Sequence, residues 1–334
     1  MSELLSIRQL HVELRQRDGG SRPLLRDVTF EIAPGEAVGL VGESGSGKSM
    51  TACAIARLLP TRAEATGSVQ LGGIDVLALR GSELRRFRRQ QVGMVFQDPR
   101  AHINPVRTIG DFITESMLDS GHTRRAATAR AAELLQNVQL DNPLRLMRRF
   151  PHELSGGMLQ RVMIAAALAN EPRLILADEP TTALDVTIQA EVMSILDQLR
   201  RNRQVALLFI THDLELAAAT CDRTIVMYAG AIVEEQPSTS LHEAPAHPYT
   251  QGLLNSRPTL DRSVHRLAAI PGQPIAPYEV ETACAFAPRC PHATERCRHE
   301  RPAFRPFGPA TVACHYAEQL TSQARITSGE TARR

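Results

Sequence analysis

Eight consecutive residues, Gly42-Glu43-Ser44-Gly45-Ser46-Gly47-Lys48-Ser49, carry the spacing G-x-x-x-x-G-K-[ST]. Small residues let a backbone wrap an anion without Cβ clashes, so that successive N–H groups and a helix N-terminus face phosphates. Lys48 is then expected to reach the β- and γ-phosphates of ATP, and the Ser49 hydroxyl to ligate Mg²⁺, with Met50 closing the nucleotide-binding stretch. A second chemical pair, Asp178-Glu179, ends the apolar run Leu174-Ile175-Leu176-Ala177. Asp178 suits the Mg²⁺ shell, and Glu179 suits a general base that orients the attacking water. Gln97 and His212 follow two further apolar runs; Gln97 is read as a contact to Mg²⁺ or the water, His212 as a contact to the γ-phosphate. Finally, Leu154-Ser155-Gly156-Gly157-Met158-Leu159-Gln160 opens a helical run with an N-cap serine and two glycines, a second phosphate-type helix start. One γ-phosphate needs only one such loop per subunit, so this one is assigned to ATP held by another subunit.

These groups need a scaffold that collects strand ends. Val28 to Ile32 alternates as a half-buried strand does, while Ala37 to Val41, Val92 to Phe96, Leu174 to Ala177 and Val205 to Ile210 are short continuous apolar runs. Between them Lys48 to Leu59 (stopped by Pro60), Arg124 to Val138 and Thr187 to Arg201 read as helices. The alternation predicts an α/β fold, a mostly parallel sheet covered by helices, with ligands at strand C-termini. Residues from 97 to about 170 read as a helical subdomain. Proline recurs from Pro245 onward at a density that regular helices and central strands do not tolerate. Residues 1–255 are therefore read as the nucleotide-binding domain, 256–320 as a loop-rich extension that needs a staple, and 321–334 as a disordered tail.

A net charge of +2 over 334 residues offers no argument for nucleic acid. No apolar run approaches the roughly 18 to 20 residues that cross a bilayer, and the first residues lack the pattern of a signal peptide, so a cytoplasmic protein is expected. Cys284, Cys290, Cys297 and Cys314 are separated by five, six and sixteen residues. In a reducing compartment such a cluster points to a metal rather than to disulfides, and four thiolates suit either zinc or an iron–sulfur cluster. Cys53 and Cys221 read as small buried residues.

Together these residues resemble the nucleotide-binding subunit of an ATP-binding cassette (ABC) transporter. Gly42 to Ser49 looks like Walker A, Leu174 to Glu179 like Walker B and Leu154 to Gln160 like the signature. Gln97, Ala183-Leu184-Asp185 and His212 match the Q-, D- and H-loops. Gln97-Asp98-Pro99 with Asn104-Pro105, Val226-Met227-Tyr228-Ala229-Gly230, His247-Pro248-Tyr249-Thr250, Ile270-Pro271-Gly272 and the cysteine tail are similar to the oligopeptide/dipeptide (and nickel) import subfamily. The resemblance implies a P-loop NTPase of the ABC type that hydrolyses ATP in a head-to-tail pair with a second such subunit. It also implies two membrane-spanning subunits, a solute-binding protein, residence on the cytoplasmic face of the inner membrane, and a [4Fe-4S] cluster on the four cysteines. Peptide import is the expected process, a nickel or metal-chelate importer its alternative. From another class, a soluble ABC ATPase of DNA repair or ribosomes would carry coiled-coil insertions or tandem cassettes, and neither is present. A regulatory iron–sulfur protein with a decayed ATPase conflicts with intact Lys48, Asp178, Glu179 and His212. One departure concerns adenine: Leu14 stands nearest to where the family has a stacking aromatic. His102-Ile103 and Glu235-Gln236 also differ from the usual pairs, away from the catalytic set.

Overall fold

A computed structural model describes residues 3–181, 186–256, 270–279 and 282–320. Among the described residues the strands are β1 (Leu5–Arg15), β2 (Ser21–Ile32), β3 (Ala37–Val41), β4 (Ala63–Leu71), β5 (Ile74–Asp75), β6 (Val92–Val95), β7 (Leu174–Asp178), β8 (Ala206–Thr211), β9 (Arg223–Tyr228), β10 (Ala231–Pro237), β11 (Arg305–Phe307) and β12 (Ala310–Val312). They form a main sheet of order β11-β12-β10-β9-β3-β8-β7-β6 and a second sheet of order β2-β1-β4-β5.

Strands β6, β7, β8, β3 and β9 run parallel. Their central members are apolar throughout because both faces are covered. Residue parity decides the face. Val38, Leu40, Leu174, Leu176, Leu208 and Ile210 join the core shared with the second sheet and the helix Lys48–Ile55. Ala37, Ile175, Ala177, Leu207 and Phe209 join the opposite core, under the helices Ile109–Asp119, Arg124–Asn137 and Gly156–Ala167. Those helices all lie within residues 97–170, the stretch read as helical. Thr108, Thr123 and Ser155 cap them by accepting hydrogen bonds from the amides of Asp111, Ala126 and Met158.

One sequence expectation is completed and one is corrected. Val28 to Ile32 belongs to β2 and pairs antiparallel with β1, outside the parallel sheet. Its alternation of buried and exposed residues is the mark of a sheet packed on one face, which antiparallel pairing permits. The helix after the phosphate loop ends at Ile55, well before Pro60. Arg57 takes φ 57°, and the Leu58 amide reaches back to the Cys53 carbonyl (2.7 Å), a Schellman stop that needs no proline.

The C-terminal extension is built into the cassette. The hairpin of β11 and β12 continues the main sheet through β10, pairing Glu234 with Val312 and Glu235 with Thr311. Phe286 packs with Tyr228, Tyr249, Val41 and Val226 in one apolar cluster, with Cys284 and Cys290 beside it. The fully buried Glu234 carboxylate accepts from the amides of Ala246 (2.7 Å) and His247 (3.0 Å), fixing where the chain leaves β10. The expected disordered tail, 321–334, lies outside the described residues.

Candidate active site

The phosphate loop leaves β3 at Val41 and enters its helix at Lys48. Gly47 takes φ 107°, a conformation that a side chain would strain. A Cβ on Gly42 would collide with the Met227 carbonyl, so β9 packs against the loop only because that position is glycine. The Lys48 ammonium folds back under the loop and donates to the carbonyls of Gly42 (2.8 Å) and Glu43 (3.0 Å). Burial pulls its pKa down, and the neighbouring carboxylates of Glu179, Asp178 and Glu43 push it back up.

The other predicted residues arrive from adjacent parallel strands. Ser49 Oγ donates to Asp178 Oδ1 at 2.9 Å. Burial raises the Asp178 pKa, and that hydrogen bond opposes the rise. Glu179 sits just past β7 with φ 44°, its amide donating to the Ile210 carbonyl of β8 (2.9 Å). Its Oε2 is met from two sides, by Gln97 Nε2 at 3.2 Å and by His212 Nδ1 at 3.5 Å. Gln97 stands after β6 and His212 after β8, so three strand ends converge on one carboxylate oxygen. The two contacts hold the carboxylate in one orientation.

These groups border a cleft of about 970 Å³ lined by Gly42 to Gly45, Gly47 to Met50, Gln97, Glu179 and His212. Ser46 is placed differently. It is buried, and its side chain turns toward Gly42 instead of the cleft, while its carbonyl accepts from the Gly230 amide (2.9 Å). The apolar wall beside the loop includes Leu24, Ile270, Pro274 and Pro277. Leu14, the position expected near adenine, is not part of it.

The signature residues stand apart from this cleft. Ser155 caps the helix Gly156–Ala167, and Gly156 faces open space. Gln160 differs from the expectation that it reaches a neighbour's ATP. It is 1% exposed, and its Nε2 donates to the Phe96 carbonyl (3.4 Å), tying the signature helix to the residue before Gln97. Leu154 is likewise buried. Asp185, with Ala183 and Leu184, lies outside the described residues.

Sequence reasoning missed Arg289, and it named Tyr249 only within the run His247-Pro248-Tyr249-Thr250, with no role at the site. Arg289 lines the cleft and pairs with Glu43 through both guanidinium nitrogens (2.6 and 3.0 Å). The Tyr249 hydroxyl accepts from the Glu43 amide (2.8 Å). No local pattern marks Arg289, in the loop-rich stretch, as the partner of a residue 246 positions away.

Cys284, Cys290, Cys297 and Cys314 do meet, around a closed cavity of about 20 Å³ that His247, Phe286, His292, His315 and Tyr316 also line. All four are free thiols. Amides of Phe286, His292 and Tyr316 point at the sulfurs of Cys284, Cys290 and Cys314. Burial pushes Cys284 and Cys290 up to about 11. The donor chemistry suits a thiolate-held group. Yet among the described residues no group of three or more His, Cys, Asp or Glu is arranged to hold a metal ion, and the cavity has room for about one water. The expected cluster therefore gains no support as a preformed site.

A P-loop on a parallel sheet, a Ser–Asp pair beside it and a carboxylate held by a glutamine and a histidine define an ATPase of the ATP-binding cassette class. The ABC transporter family profile matches residues 25–182, and the profile of the oligopeptide/dipeptide transporter C-terminal region matches 233–297. Over 313 residues the chain is 42% identical to the oligopeptide transport ATP-binding protein of Salmonella typhimurium, covering 93% of each chain. Over 299 residues it is 41% identical to the Haemophilus influenzae protein of that name, covering 89% of this chain and 92% of the other. An ATP-binding cassette solved as a dimer in a post-hydrolysis state, with ADP and phosphate bound, matches at TM-score 0.63 and 30% identity, covering 70% of this chain and 98% of that one. The chain belongs to the ATP-binding proteins of the ABC transporter family, in the branch that carries the oligopeptide/dipeptide C-terminal region.

Proposed function

We propose that this chain is the ATP-hydrolysing subunit of a peptide importer. Similarity along 93% of both chains to a protein named for oligopeptide transport carries this reading. Among the described residues no helix is long and apolar enough to cross a membrane. In this reading, which the similarity to peptide-import proteins supports, the chain works peripherally on the cytoplasmic face of the membrane, with two membrane-spanning subunits and a solute-binding protein that delivers the peptide.

In this reading Gly42 to Ser49 wraps the phosphates and Met50 borders them. Lys48 exchanges its two carbonyl partners for phosphate oxygens. Ser49 and Asp178, already hydrogen-bonded to each other, hold Mg²⁺ with Gln97. That cation would relieve the burial cost that raises the Asp178 pKa. Glu179 takes the proton of the attacking water, kept in place by Gln97 and His212. Ser155, Gly156 and Gly157 cover the ATP of a second cassette, which needs a dimer, and Leu154 and Gln160 support them from within. For the four cysteines the family resemblance alone favours a [4Fe-4S] cluster over zinc; among the described residues no group is arranged to hold a metal ion, and no step of this reading uses one.

Affinity purification of the tagged chain from membranes tests the assignment. Recovery of two membrane-spanning chains and a second cassette is expected. Recovery with ribosomes or DNA and no membrane chain would overturn it.

A further inference from the structure

The tightest polar contact between the extension and the cassette lies at the phosphate loop. The Arg289 side chain is 3% exposed and meets four acceptors: Glu43 Oε2 (2.6 Å), Glu43 Oε1 (3.0 Å), the Pro271 carbonyl (2.9 Å) and the Tyr228 hydroxyl (3.4 Å). A guanidinium presents a planar fork that matches a carboxylate, so the pair fixes orientation as well as charge. Glu43 is thereby held at three points. Its amide donates to Tyr249, its carbonyl accepts from Lys48, and its carboxylate takes Arg289. Arg289 and Glu43 both line the nucleotide cleft.

The charges sharpen the argument. Glu43 is the second residue of a loop meant to receive a polyphosphate, and a bare carboxylate there would repel it. Arg289 cancels that charge at contact distance. Arg289 is also one residue from Cys290, on the short turn Ala287–Arg289 between two of the four clustered thiols.

We propose that Arg289 is a positioning residue for the ATP reaction: by holding and neutralising Glu43 it keeps the phosphate loop receptive, so the C-terminal extension sets the affinity of the cassette for ATP. This rests on reading Gly42 to Ser49 as the phosphate site.

The test is Mg–ATP titration and steady-state hydrolysis with the full chain carrying Arg289→Ala, Arg289→Lys, Glu43→Gln and the pair Glu43→Gln with Arg289→Ala. Arg289→Ala exposes the Glu43 charge to the phosphates and is expected to weaken ATP binding about tenfold or more, with KM rising more than kcat falls. Glu43→Gln removes the charge itself and weakens binding less. The double variant recovers part of the loss, and the KM-against-kcat split separates this from a merely structural role, which would lower kcat with KM unchanged. Arg289→Lys, which keeps the charge and loses the fork, falls between wild type and Arg289→Ala. If Arg289→Ala does not fold, Arg289→Lys carries the test: weaker ATP binding supports the proposal, wild-type binding overturns it. Wild-type ATP affinity in Arg289→Ala, or a double variant no better than Arg289→Ala, overturns it as well. Lys48→Ala separates the two readings: normal ATP binding there would refute the phosphate-site assignment itself, whatever Arg289 does.

Discussion

Ser49 Oγ donates to Asp178 Oδ1 across 2.9 Å, joining the first turn of the loop helix to the end of β7. The contact brings two oxygen donors to one point at the edge of the phosphate loop, where a hard divalent cation would replace the shared proton. Ser49→Ala removes one donor and leaves Asp178 without its hydrogen bond. A hydrogen bond to a charged group is worth about 1.5–3 kcal/mol, so we expect hydrolysis at fixed Mg²⁺ to drop roughly 10- to 100-fold, recovered in part by raising Mg²⁺. Rate against Mg²⁺ concentration measures this; an unchanged Mg²⁺ requirement would remove Ser49 from the metal shell.

His247 gives the fold a pH dependence. It is buried, its Nδ1 accepts from the Tyr249 amide (3.0 Å), and burial lowers its pKa from 6.5 to about 4. The unfolded chain binds this proton below about 6.5 and the folded chain does not until about 4. Stability therefore rises with pH across that window and is lost as pH falls through it, by about 3 kcal/mol at most. His247→Asn keeps an acceptor for the Tyr249 amide and does not titrate. Urea unfolding at pH 4.5 and 7 should show a smaller pH difference in the variant; an equal difference would place the titration elsewhere.

The cysteine cavity predicts a colour. Chain purified without oxygen should show visible absorbance from an iron–sulfur chromophore, and Cys290→Ser should abolish it. Colourless wild type containing zinc would refute the cluster, and colourless wild type without metal would leave the four thiols as packing.

Much of the cassette was legible because its signals are local. The phosphate loop is contiguous, and the apolar runs of β6, β7 and β8 each lead directly or within two residues into polar ones, so Gln97, Asp178, Glu179 and His212 could be placed at strand ends from the sequence. The antiparallel sheet was not foreseen, because alternation in β2 reports one-sided burial and says nothing of the partner strand's direction. Gln160 was read outward with its motif. Its neighbours Leu159, Met163 and Ile164 mark the buried face of the same helix, a signal that the motif's name obscured. The Arg289–Glu43 pair joins residues 246 apart and follows no local pattern. It became visible only when the extension folded back over the loop.

Glu179 remains the residue on which the ATPase account turns. With Gln97 and His212 both facing its Oε2, it is the group proposed above to take a proton from water. Single-turnover hydrolysis of Mg–ATP by wild type and Glu179→Gln, alongside ATP binding and sedimentation, tests this most directly. The account predicts that Glu179→Gln binds ATP as wild type does, accumulates as a closed dimer, and hydrolyses about 10²- to 10⁴-fold more slowly. Wild-type turnover by Glu179→Gln would contradict it.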